Sequence, residues 1–105
     1  MTTKRQVKME VAQTILNQLG GNRFIVMTGA KNFVAGDYTL TFRIPKAKQS
    51  INMVKIYLNG LDLYDVTFYR VRGVDVKEIK KVDGLYFDML QETFTEVTGL
   101  YTNLR

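Results

Sequence analysis

The sequence predicts an α+β fold in which an N-terminal helix, a four-stranded antiparallel sheet and a C-terminal helix follow one another. Three patterns support this. Residues 7–19 carry apolar side chains at helical spacing, residues 38–44 and 53–58 alternate apolar with polar side chains, and residues 87–97 return to helical spacing. With 105 residues, 46% of them hydrophobic and 24% charged, the chain has the size and composition of one domain, so we expect a single domain over residues 1–105.

The first helix is predicted to open at a capping box formed by Thr3 and Gln6. Its apolar stripe repeats every four residues, at Val7, Val11, Ile15 and Leu19. Gly20-Gly21 should end it, because glycine readily adopts the left-handed conformation that closes helices. Residues 23–28 then predict a short buried strand, since apolar β-prone side chains follow one another, and residues 29–32 predict a turn.

The next two strands are predicted at residues 38–44 and 53–58, and Pro45 ends the first because it has no amide to donate. Asn59-Gly60 predicts a hairpin leading into a fourth strand over residues 61–72. A two-residue loop would bury Asp65 and Thr67. A three-residue loop with Gly60 left-handed buries more apolar surface instead, so we favour it, and the inward residues are then Tyr64, Val66 and Phe68.

Residues 73–82 fit either an extended connector or a helical turn. Asp83 is expected to cap the final helix, and Gly99 to end it. The apolar stripe of that helix comprises Phe87, Leu90, Phe94 and Val97. Because each helix has one apolar stripe, both should pack on the same sheet face, leaving the other face to solvent or to a partner.

Composition argues against several functions. The chain has no cysteine and no histidine, which excludes disulfides and thiolate metal sites and removes the commonest general base. Asp62 and Asp65 should point to opposite faces of a regular strand, so they make no carboxylate pair. We therefore expect no enzyme, no cofactor and no metal site. Without an apolar run of membrane-spanning length or a signal-peptide core, we expect a cytoplasmic protein with no membrane contact.

The charge is uneven along the chain. Residues 1–82 contain fourteen Lys/Arg and six Asp/Glu, a balance of +8, whereas residues 83–105 contain one Arg and four acids, a balance of −3; together they give the net +5. A basic body suggests a polyanionic partner. A mild positive charge that serves solubility alone fits the same numbers, so both interpretations stay open.

The predicted open sheet face is the main candidate site. It should present Arg43, Lys55, Tyr57 and Tyr69, with a basic rim of Lys46, Lys48, Arg70 and Arg72. Cations interleaved with tyrosines suit nucleic acid, particularly single strands, because cations meet phosphates while rings stack on bases. The same side chains are also typical of any solvated sheet face.

Two other partners remain open. The first is a host protein, which the chain would bind as an interaction module. The charge asymmetry and the lack of catalytic chemistry favour this partner. Asp88, Glu92 and Glu96 form an acidic helix stripe that fits such a partner better than it fits a metal ion. The second is another copy of the chain, because residues 23–28 and the pair Leu61 and Leu63 carry more apolar surface than a monomer favours.

The segment Leu-Gly-Gly-Asn-Arg-Phe-Ile-Val-Met-Thr-Gly-Ala-Lys-Asn-Phe at residues 19–33 resembles small uncharacterised proteins encoded by bacteriophages and related mobile elements. That resemblance implies a protein acting in the cytoplasm of a bacterial host and brings no functional residues with it. At the level of fold, four antiparallel strands followed by a helix look like half of a Whirly-type or coactivator-type single-strand-binding module. The additional N-terminal helix departs from that pattern.

Overall fold

Five antiparallel strands, hydrogen-bonded in the order in which they occur along the chain, form the sheet of this protein. The computed structural model describes residues 4–45 and 47–102. Its helices are α1 (Lys4–Leu19), α2 (Asn22–Thr28) and α3 (Leu90–Thr98). Its strands are β1 (Lys31–Gly36), β2 (Thr39–Arg43), β3 (Met53–Leu58), β4 (Tyr64–Arg72) and β5 (Asp75–Leu85). The α+β class is therefore confirmed. The sheet, however, has five strands instead of the predicted four, and an additional helix, α2, follows α1 and precedes β1 along the chain.

One face of the sheet, called the inner face below, holds the core. Its buried side chains alternate along β2, β3 and β4, and they are Leu40, Phe42, Val54, Ile56, Val66 and Phe68. The helices contribute Ile15, Leu19, Phe24, Leu90 and Phe94 to the same cluster. The ring of Phe24 lies 5.4 Å from that of Phe42 and 5.2 Å from that of Phe94, both edge-on. All three helices thus cover the same face, as the apolar stripes predict for the first and last.

The predicted strand at residues 23–28 is wrong, because these residues form α2. Phe24 and Thr28, one helical turn apart, are buried, whereas Val26 between them is 72% exposed. The Thr28 hydroxyl donates to the Phe24 carbonyl oxygen over 2.7 Å. Gly29 then closes the helix with a left-handed φ of 75°. The apolar run therefore contributes side chains to both the buried and the exposed face of a short helix. Periodicity alone cannot distinguish such a short apolar helix from a strand.

The same helix end recurs at α3. The Thr98 hydroxyl donates to the Phe94 carbonyl oxygen over 2.7 Å, and Gly99 takes a left-handed φ of 80°. Both helices therefore end in the pattern Phe-x-x-x-Thr-Gly. The prediction that Gly99 ends the last helix is confirmed, and the repeated pattern is the signal that would have identified α2 as a helix.

The segment between the fourth strand and the last helix is extended. Asp83 lies within β5, so it does not cap a helix as predicted. A 3-10 turn at Phe87–Met89 precedes α3. Leu90 and Phe94 are buried as expected, but Phe87 is 61% exposed and does not belong to the apolar stripe.

The hairpin between β3 and β4 has the predicted inward residues, because Tyr64 and Val66 are buried. The left-handed residue of its loop is Asp62, with a φ of 60°, and not Gly60. Aspartate tolerates this conformation better than most residues. Asn59 completes the turn, as its carbonyl oxygen accepts the Asp62 amide over 3.1 Å. Leu61 in this loop is 79% exposed and does not belong to the core cluster.

Polar contacts join the two terminal helices to the sheet. The Tyr64 hydroxyl donates to Gln18 Oε1 at the end of α1. Gln91 of α3 donates through Nε2 to the Gln18 carbonyl oxygen over 3.2 Å, and Thr102 donates to Gln91 Oε1 over 2.9 Å. Thr102 is buried, so the chain just after Gly99 packs against α3 at this residue. The expected cap at Thr3 lies outside the described residues.

None of the helices in the described ranges combines the length and the hydropathy that a bilayer-crossing segment needs.

Candidate functional site

The starts of β1 and β3 and the ends of β2 and β4 meet at one end of the sheet, because the strands are antiparallel and follow chain order. A cavity of about 510 Å³ opens there. Four of its lining residues are cationic and none is acidic. We call this site the basic pocket and define it by Lys31, Arg43, Arg70 and Arg72.

Two of these cations are direct neighbours across the sheet. Lys31, the first residue of β1, pairs with Arg43, the last residue of β2. Like charges that face each other across strands destabilise a sheet. Among the described residues, no carboxylate lines the pocket to neutralise the repulsion between Lys31 and Arg43. The arrangement lowers the stability of the free protein and favours an anion between the two side chains.

The arginines of β4 depend on Asn52, which precedes β3. The Asn52 side chain donates through Nδ2 to the Val71 carbonyl oxygen over 2.9 Å and accepts the Val71 amide over 2.8 Å. It thereby replaces a strand backbone opposite Val71. Because neighbouring side chains on a strand alternate in direction, Arg70 and Arg72 both point to the side opposite Val71. The carbonyl oxygen of Asn52 also accepts the Nε–H of Arg43 over 3.3 Å.

The rim of the basic pocket contains unusual backbone. Asn32 and Ser50 both line the cavity and have φ values of 57° and 63°, and Gln49 beside Ser50 has a φ of 58°. Each left-handed residue other than glycine costs about 1–2 kcal/mol. Such conformations cluster at functional sites because surrounding structure must hold them.

The expected tyrosine-bearing surface is the outer face of the sheet, opposite the core. Lys55 and Tyr57 of β3 are exposed there, and Tyr69 of β4 is half-buried. Tyr57 pairs with Asp65, and Tyr69 pairs with Glu78. Carboxylates therefore alternate with the cations on this face, which makes it electrostatically mixed.

A row of polar side chains crosses the outer face from β2 to β5. Its members are Thr41, Lys55, Thr67 and Lys81, each paired with the next. Thr67 is buried although it faces outward, between the aliphatic stems of the two lysines. The row contains no aromatic ring, so it offers no stacking surface.

The eight residues expected to form one site therefore lie in different places. Arg43, Arg70 and Arg72 line the basic pocket, whereas Lys55, Tyr57 and Tyr69 do not. Arg43 links the two surfaces, because it also belongs to the outer-face row that leads through Met53 to Tyr69. Lys48 is exposed, and its side chain lies against Gly99 of the α3 terminus. Lys46 lies outside the described residues. Sequence reasoning omitted Lys31 from the site, because residues 29–32 were expected to form a turn and not to begin a strand.

The carboxylates considered earlier form no site of their own. Asp88, Glu92 and Glu96 are exposed, and no metal-binding cluster is found in the described part of the chain. Asp65 has a structural role, since its Oδ1 accepts the Gly84 amide over 2.9 Å and the Asn59 side-chain amide over 3.3 Å.

Comparison with protein-family models, with curated proteins and with solved structures gives no significant match.

Proposed function

We propose that this protein binds nucleic acid and that the basic pocket is its phosphate-binding site. The observation that supports the proposal is the convergence of Lys31, Arg43, Arg70 and Arg72 around one open cavity without an acid in its lining. Arginine and lysine are the side chains that most often contact phosphate oxygens. The sequence pI of about 9.6 adds a long-range attraction for polyanions.

The like-charged pairs favour an anionic ligand over simple solubility. Lys31 faces Arg43 across β1 and β2, and Arg70 faces Lys77 across β4 and β5. Cations that serve only solubility have no reason to be placed opposite one another, because each such pair destabilises the sheet. A bound phosphate converts both repulsions into attractive contacts.

An extended polyanion fits the site better than a small one. Lys77 and Lys80 of β5 pair with Arg70 and Phe68, so both lie on the side of the sheet that Arg70 occupies, and both are exposed. Lys81 lies on the outer face and forms an ion pair with Asp83 over 3.8 Å. A single phosphate would satisfy only the pocket, whereas a nucleic-acid backbone presents charges at regular spacing along this path. The preference for single strands that Tyr57 and Tyr69 suggest stays a prediction. Each of these rings lies opposite a carboxylate, which repels the phosphates of a strand stacked there.

The proposal is tested by replacing one pocket cation and one outer-face cation with the same neutral residue. We expect Arg70→Gln to weaken binding of a labelled oligonucleotide and to reduce the salt dependence of log K by about 1, because one phosphate contact is lost. Lys55→Gln, which removes the same charge from the outer face, should change neither quantity. Fluorescence anisotropy over a series of salt concentrations measures both.

The thermal stability of Arg70→Gln shows whether weaker binding is caused by unfolding. Arg70→Gln removes the repulsion with Lys77, so its thermal stability should equal or exceed that of the original protein. Binding that falls for Lys55→Gln and not for Arg70→Gln would move the site to the outer face. Wild-type binding that is absent at low salt, or indifferent to salt, would contradict the proposal altogether.

A second candidate function, binding of a host protein, is favoured by one groove. It has a volume of about 200 Å³ between α1 and the edge strand β1, and its apolar lining includes Met9, Leu16 and Phe33. Val34 on the same strand is exposed. An extended partner segment could add to this edge. Capture of one stoichiometric protein from nuclease-treated host lysate, lost on substitution of the exposed groove residue in Met9→Lys, would support this function in place of the first. Either function fits the expected cytoplasmic location.

A further inference from the structure

The distal part of the β4–β5 hairpin extends beyond the rest of the sheet. Met53, the first residue of β3, pairs with Tyr69, so within the described part of the chain the strand pairing of residues 70–77 is with each other, supplemented by the Asn52 side chain. We call residues 70–77 the ribbon. Two strands alone are marginally stable in water. The two hydrogen bonds between the Asn52 side chain and Val71 join the ribbon to the segment that precedes β3.

The two sides of the ribbon differ chemically. Val71 pairs with Val76 on one side, a β-branched pair that stabilises the hairpin. Arg70 pairs with Lys77 on the other side, and Arg70 together with Arg72 lines the basic pocket. Arg72 pairs with Asp75 on this same side, which therefore carries three cations and one carboxylate and is continuous with the pocket.

The tip of the ribbon presents a free apolar side chain. Arg72 pairs with Asp75, which leaves Gly73 and Val74 as a two-residue turn, and Gly73 takes the positive φ of 60°. Val74 has no positive φ and is 103% exposed. The turn accepts a polar residue at this position equally well, so local folding does not explain a valine there.

We propose that the ribbon enters the major groove of double-stranded nucleic acid and that Val74 contacts the base edges. This inference rests on the proposed function. The major groove is about 12 Å wide and 8.5 Å deep and accepts a two-stranded ribbon. From Arg70 to the tip the ribbon extends roughly 10 Å, at about 3.4 Å per residue. Val74 therefore reaches the groove floor while the basic pocket stays at the phosphate backbone.

An apolar side chain at that depth has a defined contact. The C5-methyl group of thymine lies in the major groove and packs against apolar side chains. The ribbon's cations, Arg70, Arg72 and Lys77, then face the phosphates that border the groove. A single strand has phosphates but no major groove, so Val74 contacts the bases of a duplex only.

The experiment compares Val74→Ser with Leu61→Ser. Leu61 is the matched control, because it is an exposed apolar residue, 79% accessible, at the hairpin on the opposite end of the sheet. We expect Val74→Ser to weaken binding of a 20-base-pair duplex about tenfold, the value for burying one valine side chain. Its affinity for a single strand of the same length should not change, and Leu61→Ser should change neither affinity. Methyl green, which occupies the major groove, should compete with the wild-type protein for the duplex.

The outcomes separate this inference from the function on which it rests. Salt-dependent binding of both nucleic acids that is unaffected by Val74→Ser overturns the ribbon's role and leaves the basic pocket as the phosphate site. Competition by distamycin, a minor-groove ligand, in place of methyl green also overturns it. Absence of salt-dependent binding to either nucleic acid overturns the proposed function and the ribbon's role together.

Discussion

At the scale of single residues, Tyr64 links the fold to pH. Burial raises the pKa of its phenol above the usual 10.0, and the nearby Asp62 carboxylate raises it further. Burial disfavours the phenolate, so the folded protein holds the proton more tightly than the unfolded chain. The contribution of Tyr64 to stability is therefore complete below pH 10 and is lost as the pH rises through the raised pKa.

This predicts how Tyr64→Phe compares with the original protein. At neutral pH the variant should be less stable by about 1 kcal/mol, because the hydrogen bond to Gln18 is lost. Above pH 10 the difference in the free energy of unfolding should shrink, since only the original protein must keep a buried phenol protonated. Urea unfolding at pH 7, 9 and 11 measures the difference. A constant difference across this range would contradict the role assigned to Tyr64.

At the scale of elements, the ends of the short helices are set by Thr-Gly pairs. Gly29 has a left-handed φ, and a Cβ built on it would lie 3.0 Å from Pro45 Cγ. Glycine is therefore required at this helix end for both conformation and space. Gly60 differs on both counts, because its φ is not positive and nothing lies within 4 Å of an added Cβ.

These two glycines give a matched pair of substitutions. We expect Gly29→Ala to lower the free energy of unfolding by about 1–2 kcal/mol, from the left-handed conformation alone. Gly60→Ala should leave it unchanged or raise it slightly, because alanine restricts the unfolded chain. Chemical denaturation of the two variants measures this. Equal stabilities would show that the Thr28-Gly29 end does not determine α2.

The elements that sequence predicts correctly are those with one periodicity over many residues. α1, β2, β3 and α3 bury every second or every third to fourth side chain, and their cores match the expected residues. α2 was missed because seven residues are too few to separate helix from strand. The pattern of β5 is ambiguous because nearly all of its side chains are exposed and many of them are charged, so they do not alternate with apolar ones.

At the scale of the whole molecule, the sequence predicts the ingredients of the site better than its location. Arg43, Arg70 and Arg72 were candidates from their charge alone. Their meeting point depends on the register between strands and on the Asn52 side chain, neither of which a pattern of residue types reveals. The outer face was favoured because alternation places Lys55 and Tyr57 there, but cross-strand partners decide its charge, and these include Asp65 and Glu78.

The basic pocket also explains why the molecule combines a stable core with locally unfavourable contacts. Its like-charged pair and left-handed rim residues lie at the end of the sheet, next to Ile44, which lines the pocket and belongs to the core cluster. The core supplies the stability that these contacts reduce, an arrangement typical of binding sites.

Mapping by two-dimensional NMR tests the central claim most directly. Backbone amide signals of the labelled protein are followed while a short oligonucleotide is added at low salt. We predict that the largest shifts occur at Lys31, Asn32, Ser50, Asn52 and Arg72, and that Lys55 and Tyr57 on the outer face shift little. Shifts concentrated on the outer face, or on the groove between α1 and β1 with the basic pocket unchanged, would contradict the account.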